Sequence, residues 1–284
     1  MVSGGGLSEL WARLRFVLLA IIVYRVGSHI PLPGINPDML ERFAPNPGRR
    51  ALLPELSEQA QVALMCRMLC KEGWNEHIAG HITFRLASGN ILTNPWELAW
   101  DELTASDILT LDASGAIIEG EWNTTPAIGL HLQLHRLRPE VNVVIHNHPQ
   151  WSGIWANLHR VPPVYDQAGA YVDGPLPLYN EYAGTFEDED KTLAAAHALG
   201  DAKWALLANH GALVVGRDLR QAHLRVITLE WRSKRAYEME QLGGGVPLTE
   251  EQIAAIALPD ANGFPFLWEA MARRELRENP GILD

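Results

Sequence analysis

Hydrophobic and polar positions change pattern twice along the chain. Residues 16–24 (FVLLAIIVY) form an uninterrupted apolar run of nine, with Arg13 and Arg15 before it and Arg25 after it. Nine residues fall short of the roughly 20 needed to cross a bilayer, although Leu7 to Ile30 with snorkelling arginines would reach as a tilted span. A basic start and a short apolar stretch also suit a signal peptide, but no small-x-small cleavage site follows convincingly. Residues 44–54 (APNPGRRALLP), with three prolines and a glycine, read as a linker that ends by residue 56. From Ser57 the spacing becomes helical: Ser57 caps, Ala60, Leu64, Met65, Met68 and Leu69 recur on one face, and Gly73 stops the helix.

Short apolar runs then predict strands at His81–Leu86, Asn90–Thr93, Ile108–Leu111 and Ile117–Glu119, with the turns SGN (88–90) and ASG (113–115) between them, a set of antiparallel hairpins. A helix follows over about Pro126–Leu137, then a strand at Val141–His148, a helix near Trp151–Leu158, and strands near Val164–Ala168 and Leu176–Pro177. The acidic Glu187–Asp190 suits the positive end of a helix reaching Leu199. Strands at Lys203–Ala208 and Ala212–Val215 flank the turn NHG (209–211), and a long helix, Leu219–Gln241, closes at Gly243–Gly245. Helices alternating with hairpins predict an α/β (α+β) domain with helices flanking one sheet.

Composition narrows the function classes. The 284 residues are 47% hydrophobic with two cysteines, which excludes disorder and a disulfide scaffold. Net charge is −11, but residues 1–50 carry six basic and three acidic side chains, leaving 17 basic and 31 acidic for the rest. The acidic body argues against nucleic acid, whose phosphates are held by Lys and Arg. Cys66 and Cys70, one helical turn apart, read as buried small hydrophobes rather than metal ligands.

The strongest chemical signal is His146-Asn147-His148, ending the run VNVVIHNH. Strand alternation puts residues i and i+2 on one face, so both imidazoles can reach one ion. His210 ends a second strand in a turn permitted by Gly211. Two strand ends converging on one cation would supply three neutral nitrogens and leave a position open, the arrangement of a catalytic zinc site.

NTTPAIGLHLQLHRLRPEVNVVIHNHP, followed by LLANHGALVVG, resembles the class II aldolase and adducin head-domain family over about residues 57–245. The resemblance implies a three-layer αβα sandwich around a largely antiparallel sheet. It implies a divalent metal on His146, His148 and His210, zinc first, with manganese or iron as the other options, and assembly as a homotetramer. It also implies a glutamate nineteen residues before the first metal histidine, where this chain has Ala127, so the usual aldolase base is absent. The family's phosphate-binding turns read here as Gly80-His81-Ile82-Thr83, Pro95-Trp96 and Thr125-Pro126, and most donors are replaced. A phosphate needs several convergent donors to offset its desolvation, so a non-phosphorylated substrate is inferred, with an aromatic or otherwise planar body as one option. Separately, LSELWARLRFVLLAIIVYRVGSHIPLPGINPDML resembles the start of the bacterial Sec translocon channel subunit over about residues 6–43. Two readings of residues 1–43 stay open, a fusion or misjoined frame and a membrane anchor, and membrane contact is expected only if that segment is native.

Proton work then falls to other residues. His81 stands where the family's glycine turn approaches substrate, Glu76 lies five residues earlier, and Tyr179 matches the family's proton-donating tyrosine, with Tyr182 as its rival. His131 reads as packing or as hydrogen bonding toward the metal site, and His135 as a partly exposed helix residue. Of Trp96, Trp100, Trp122, Trp151 and Trp155, at least three are expected in the core. The sequence thus points to a cytoplasmic, metal-dependent carbon–carbon lyase, a decarboxylase or aldolase acting on a small hydroxy or keto acid. An iron(II) oxygenase and a non-catalytic adducin-like module are the alternatives. Residues 246–284 read as a carboxy-terminal helical extension.

Overall fold

A computed structural model of the chain describes Arg15, residues 55–181, Gly184, residues 188–258, Phe264 and residues 266–284. Backbone proximity divides the chain into Met1–Ala51 and Leu52–Asp284. Of the first unit only Arg15 is described, so the translocon-like segment lies outside the described residues. Every strand among the described residues belongs to the second unit.

Helix α1 (Glu58–Lys71) starts where the Ser57 hydroxyl accepts from the Ala60 amide at 3.1 Å. Strands β1 (His81–Arg85), β2 (Ile91–Thr93), β3 (Leu109–Leu111) and β4 (Ile117–Glu119) form the predicted meander. Next come α2 (Ile128–Leu137), β5 (Val143–Asn147), α3 (Gln150–Asn157), β6 (Leu178–Tyr179) and α4 (Glu189–Leu199). Strands β7 (Trp204–Leu207) and β8 (Gly211–Gly216) precede α5 (Leu219–Gln241), α6 (Glu250–Ile256) and α7 (Leu267–Glu278). The eight-stranded sheet runs β4-β3-β2-β1-β5-β8-β7-β6. Its pairs are antiparallel except β6 with β7.

Side-chain alternation on the central strand β5 builds the layers. Val143 and Ile145 enter a core with Leu64 of α1, Trp155 of α3, Val226 of α5 and Trp268 of α7. Val144 enters a second core with Leu130 and Leu134 of α2 and Ala195 and Leu199 of α4. This is the expected α/β arrangement, with the sheet between two helical layers. His146 belongs by alternation to the α2 face.

Two expected strands differ. Residues 164–168 form none: Pro162 and Pro163 precede them, Asp166 turns the chain by accepting from the Gly169 amide, and the Val164 carbonyl accepts instead from Leu248 at 2.7 Å. The strand expected at Leu176–Pro177 lies two residues later, at Leu178–Tyr179, because Pro175 and Pro177 have no amide hydrogen to donate to a ladder. The residues after Gly245 join the same unit. Trp268, Ala272 and Ile282 sit in the main core, and buried Glu275 is held by Arg67 (2.9 Å) and Lys71 of α1.

Candidate metal centre

The three histidines of the sequence motif converge. His146 is the fourth residue of β5, His148 follows the strand, and His210 stands in the turn between β7 and β8 after Asn209, whose φ of 54° is one that asparagine tolerates. One nitrogen from each lies within 4.8 Å of the others, and the ring centroids are 4.8–5.2 Å apart. The Ala212 carbonyl can only accept, so His146 donates to it through Nδ1–H at 3.0 Å, which leaves Nε2 unprotonated for a ligand role. His148 donates through Nδ1–H to the Glu76 carboxylate at 2.5 Å with the same result. A carboxylate or carbonyl behind each imidazole is how metal-binding histidines are oriented. This donor set, three neutral imidazoles with a position left over, fits a divalent cation.

Backbone packing sets the convergence. Asn147 points to the opposite face of β5, where its amide donates to the Trp74 carbonyl (3.1 Å) and its oxygen accepts from the His148 amide (2.7 Å). At Gly211 a Cβ would lie 2.3 Å from the Asn147 carbonyl oxygen and 3.0 Å from His148 Cδ2, so only glycine lets β8 approach there. Gly80, at φ 89°, would place a Cβ 2.2 Å from the Asn147 amide. We expect Gly211→Ala to cost about 3 kcal/mol in denaturant titration and to weaken metal uptake, because β5 and β8 must separate at His148; unchanged stability and metal content would refute this account of the glycine.

Behind the triad lies a second histidine cluster. His81 pairs in register with His146, its ring 5.3 Å from His146 and 4.4 Å from His131. Burial pushes its pKa down to about 3, helped by His148 and His210. His135, expected to be partly exposed, is in fact buried at 4% exposure, because α2 lies flat on the sheet with Thr83 beneath it. The hydrogen bonds here have one direction. His135 donates Nδ1–H to the Val141 carbonyl (3.2 Å), so its Nε2 accepts from the Thr83 hydroxyl (2.8 Å). That hydroxyl has spent its only proton, so it accepts from His131 Nδ1–H at 2.9 Å. His131 Nε2 is left as a sealed lone pair beside His81, and no metal ligand is hydrogen-bonded to it among the described residues. Motif spacing does not single out Thr83, although strand alternation from His81 places it on the same face.

The opening beside the triad is a cavity of about 590 Å³ lined by Asn75, Glu76, His148, Gln150, Asn157 and His210, among others. Its described lining contains amides and a carboxylate but no lysine or arginine. Tyr179 is not in that lining. It packs against the α2–α4 core, and its hydroxyl donates to Glu181 at 3.4 Å. Tyr182 lies outside the described residues. Only two of the five tryptophans are in the core, Trp100 and Trp155, against the three or more expected: Trp96 and Trp122 are exposed and half-buried Trp151 packs tilted against Tyr237, and none of the five is in the cavity lining.

The domain known as "Class II Aldolase and Adducin N-terminal domain" matches residues 60–237. The chain belongs to this family. The class II aldolases of this family are divalent-metal dependent, consistent with the three-histidine site. A 3,4-dihydroxyphthalate decarboxylase of Arthrobacter keyseri is 29% identical over 220 residues, covering 71% of this chain and 86% of that protein. A 5-deoxy-D-ribulose 1-phosphate aldolase of Bacillus thuringiensis is 24% identical, covering 70% and 93%. An aldolase II superfamily protein from Pseudomonas syringae superposes with a TM-score of 0.69 at 22% identity, over 80% of this chain and 94% of that one, and shows the shared fold. The family and these relatives support a lyase of aldolase or decarboxylase type. At the other end, 39 residues are 80% identical to protein translocase subunit SecY of Pseudomonas aeruginosa, 14% of this chain and 9% of that one. Among the described residues no helix is long and apolar enough to cross a membrane.

Glu76 lines the cavity and at the same time holds His148 from behind through its Nδ1–H. We expect Glu76→Gln to weaken metal affinity about 10-fold to 100-fold in a competition titration, with the fold intact; equal affinity would show that the carboxylate does not orient His148.

Proposed function

We propose that the protein is a metal-dependent carbon–carbon lyase that decarboxylates a small, non-phosphorylated hydroxy or keto acid, with an aromatic ring as one form of its body. The observation that carries this reading is Ala127. It stands where the family resemblance implies a glutamate, just ahead of α2, half-buried against apolar neighbours, and it cannot move a proton. Loss of carbon dioxide needs no base to deprotonate a leaving alcohol, whereas aldol cleavage does. A cavity whose described lining lacks cationic side chains adds support, since a phosphate would go uncompensated there.

His146, His148 and His210 would hold the divalent cation, zinc, manganese or iron, and Glu76 would keep His148 in its binding tautomer. The cation supplies Lewis acidity toward adjacent substrate oxygens and so favours the enolate left by bond cleavage. When the bond to the departing carboxylate breaks, its electron pair stays on carbon and a proton must return there. His81, in register with His146 and with its ring 5.3 Å away, is assigned that step as a relay: buried and neutral, it delivers a proton at one nitrogen only as it takes one up at the other, with water as the source and the hydroxide left over consumed by the released carbon dioxide as bicarbonate. In this subunit the Tyr179 hydroxyl is committed to Glu181, which makes tyrosine the second candidate. The reading includes a cytoplasmic homotetramer, supported by the family resemblance and by two unbridged cysteines.

The test is turnover of the metal-loaded protein with hydroxy and keto acids, 3,4-dihydroxyphthalate among them, following carbon dioxide and dissolved oxygen. One carbon dioxide per substrate without oxygen uptake is expected. Oxygen consumption would favour an oxygenase, and faster cleavage of sugar phosphates would overturn the reading.

A further inference from the structure

A second cavity, of about 610 Å³, shares no lining residue with the metal pocket. It lies between the 162–176 loop, Arg232 of α5 and the segment 247–254. That segment is fastened over it by the Leu248 amide, which donates to Val164, and by the Leu258 amide, which donates to Tyr171 (2.9 Å). Most of the wall is apolar, including Val164, Val172, Leu176 and Ile253.

Arg232 is the exception. Its Nε donates to the Pro162 carbonyl at 2.8 Å, and its two terminal nitrogens have no hydrogen bond or ion pair among the described residues. The neighbouring Arg235 pairs with Asp166 at 3.0 Å, and Arg85, which also has no carboxylate, spends its terminal nitrogens on the His135, Pro139 and Val141 carbonyls, whereas those of Arg232 have no such partners among the described residues. Arg232 is half-buried, and that burial pushes its pKa down to about 10. A cation partly withdrawn from water and facing an apolar wall gains from a counter-charge there. With Nε already used, the end-on pair Nη1–H and Nη2–H remains, a fork that matches the two oxygens of a carboxylate.

We propose that this cavity binds a small organic monocarboxylate with an apolar body, its carboxylate held by Nη1 and Nη2 of Arg232 and its body against Val172, Leu176 and Ile253. The charges disfavour a dianion relative to a monoanion. Asp173 and Glu250 also line the cavity, and Lys203 already neutralises Asp173, so a dianion such as phosphate would meet one guanidinium and an opposing carboxylate. The volume falls within the range of small-molecule sites.

The experiment is calorimetric titration of the full, metal-loaded chain with phenylacetate, its neutral isostere phenylacetamide, and inorganic phosphate. Saturable binding of phenylacetate alone is expected. Arg232→Met should weaken it about tenfold or more, the worth of a charge-assisted bidentate contact, and Arg232→Lys should restore part of it. His148→Ala should leave it unchanged, which separates this site from carboxylate binding at the metal. The proposal is overturned by equal binding of the amide, by loss of binding in His148→Ala, or by no saturation up to about 10 mM. It is also overturned if the wild type binds nothing and Arg232→Met changes the subunit number in sedimentation, because the missing carboxylate would then belong to a second copy. Should Arg232→Met fail to fold, the acid-versus-amide comparison on the wild type still decides.

Discussion

Alanine in place of His148 should leave a folded protein that no longer retains stoichiometric metal after gel filtration and is slower by about 10³-fold or more in the proposed release of carbon dioxide. His148 supplies one of three nitrogens within 4.8 Å, and two imidazoles cannot close the site. Losing the Lewis acid removes several kcal/mol of transition-state stabilisation, and each 1.36 kcal/mol is a factor of ten. The fold should survive because His148 lies beyond the last ladder pair of β5 and is only half-buried, whereas the core alternation ends at Asn147. Metal elemental analysis beside circular dichroism checks both halves. Full metal content in the variant would refute the ligand assignment, and a lost fold would make the site structural.

The second large effect concerns acid. His81, His135 and His223 are buried and neutral, and burial lowers their pKa values to about 3, about 4 and about 4, against 6.5 for the exposed side chain. A base whose pKa is depressed by folding takes up its proton mainly in the unfolded chain, so stability is fully present above pH 6.5 and is lost as pH falls toward 4. Each such histidine contributes a slope of about 1.4 kcal/mol per pH unit in that window, so three together give about 4. Total stabilities are about 5–15 kcal/mol, so the metal-free protein should unfold between about pH 6 and pH 4. Glu275, whose pKa is lowered by Lys71 and Arg67 despite its burial, adds to the loss below about 4.5. Urea titrations of metal-free protein at pH 7, 6 and 5 test this, and a flat midpoint would contradict it. His223→Phe should remove roughly one third of the slope, since that ring packs against Trp268 and burial alone lowers its pKa.

Much of this architecture is legible along the chain because periodicity reports which face of an element is buried. The helix from Ser57 and the helix Leu219–Gln241 follow from apolar spacing and caps, and the hairpins from short β-branched runs between glycine turns. The strand expected near Val164 does not form, because an apolar run flanked by prolines carries the same local signal whether or not a ladder partner exists. His135 is buried against expectation for a related reason: helix spacing says that His131 and His135 share a face, but not whether a sheet lies beneath it.

Local pattern therefore established the α/β class, the faces of β5, and the placement of His146 and His148 on one of them, because a strand's two-residue repeat depends on the backbone alone. Tertiary structure decided what those histidines meet. His210, brought from 62 residues further along, converges because Gly211 admits β8 against β5, and Glu76 becomes the orienting partner of His148 only because β1 pairs with β5. The direction of the Thr83–His131–His135 hydrogen bonds, and the solitary guanidinium of Arg232 under the carboxy-terminal segment, likewise depend on contacts between distant residues, which no window along the chain contains.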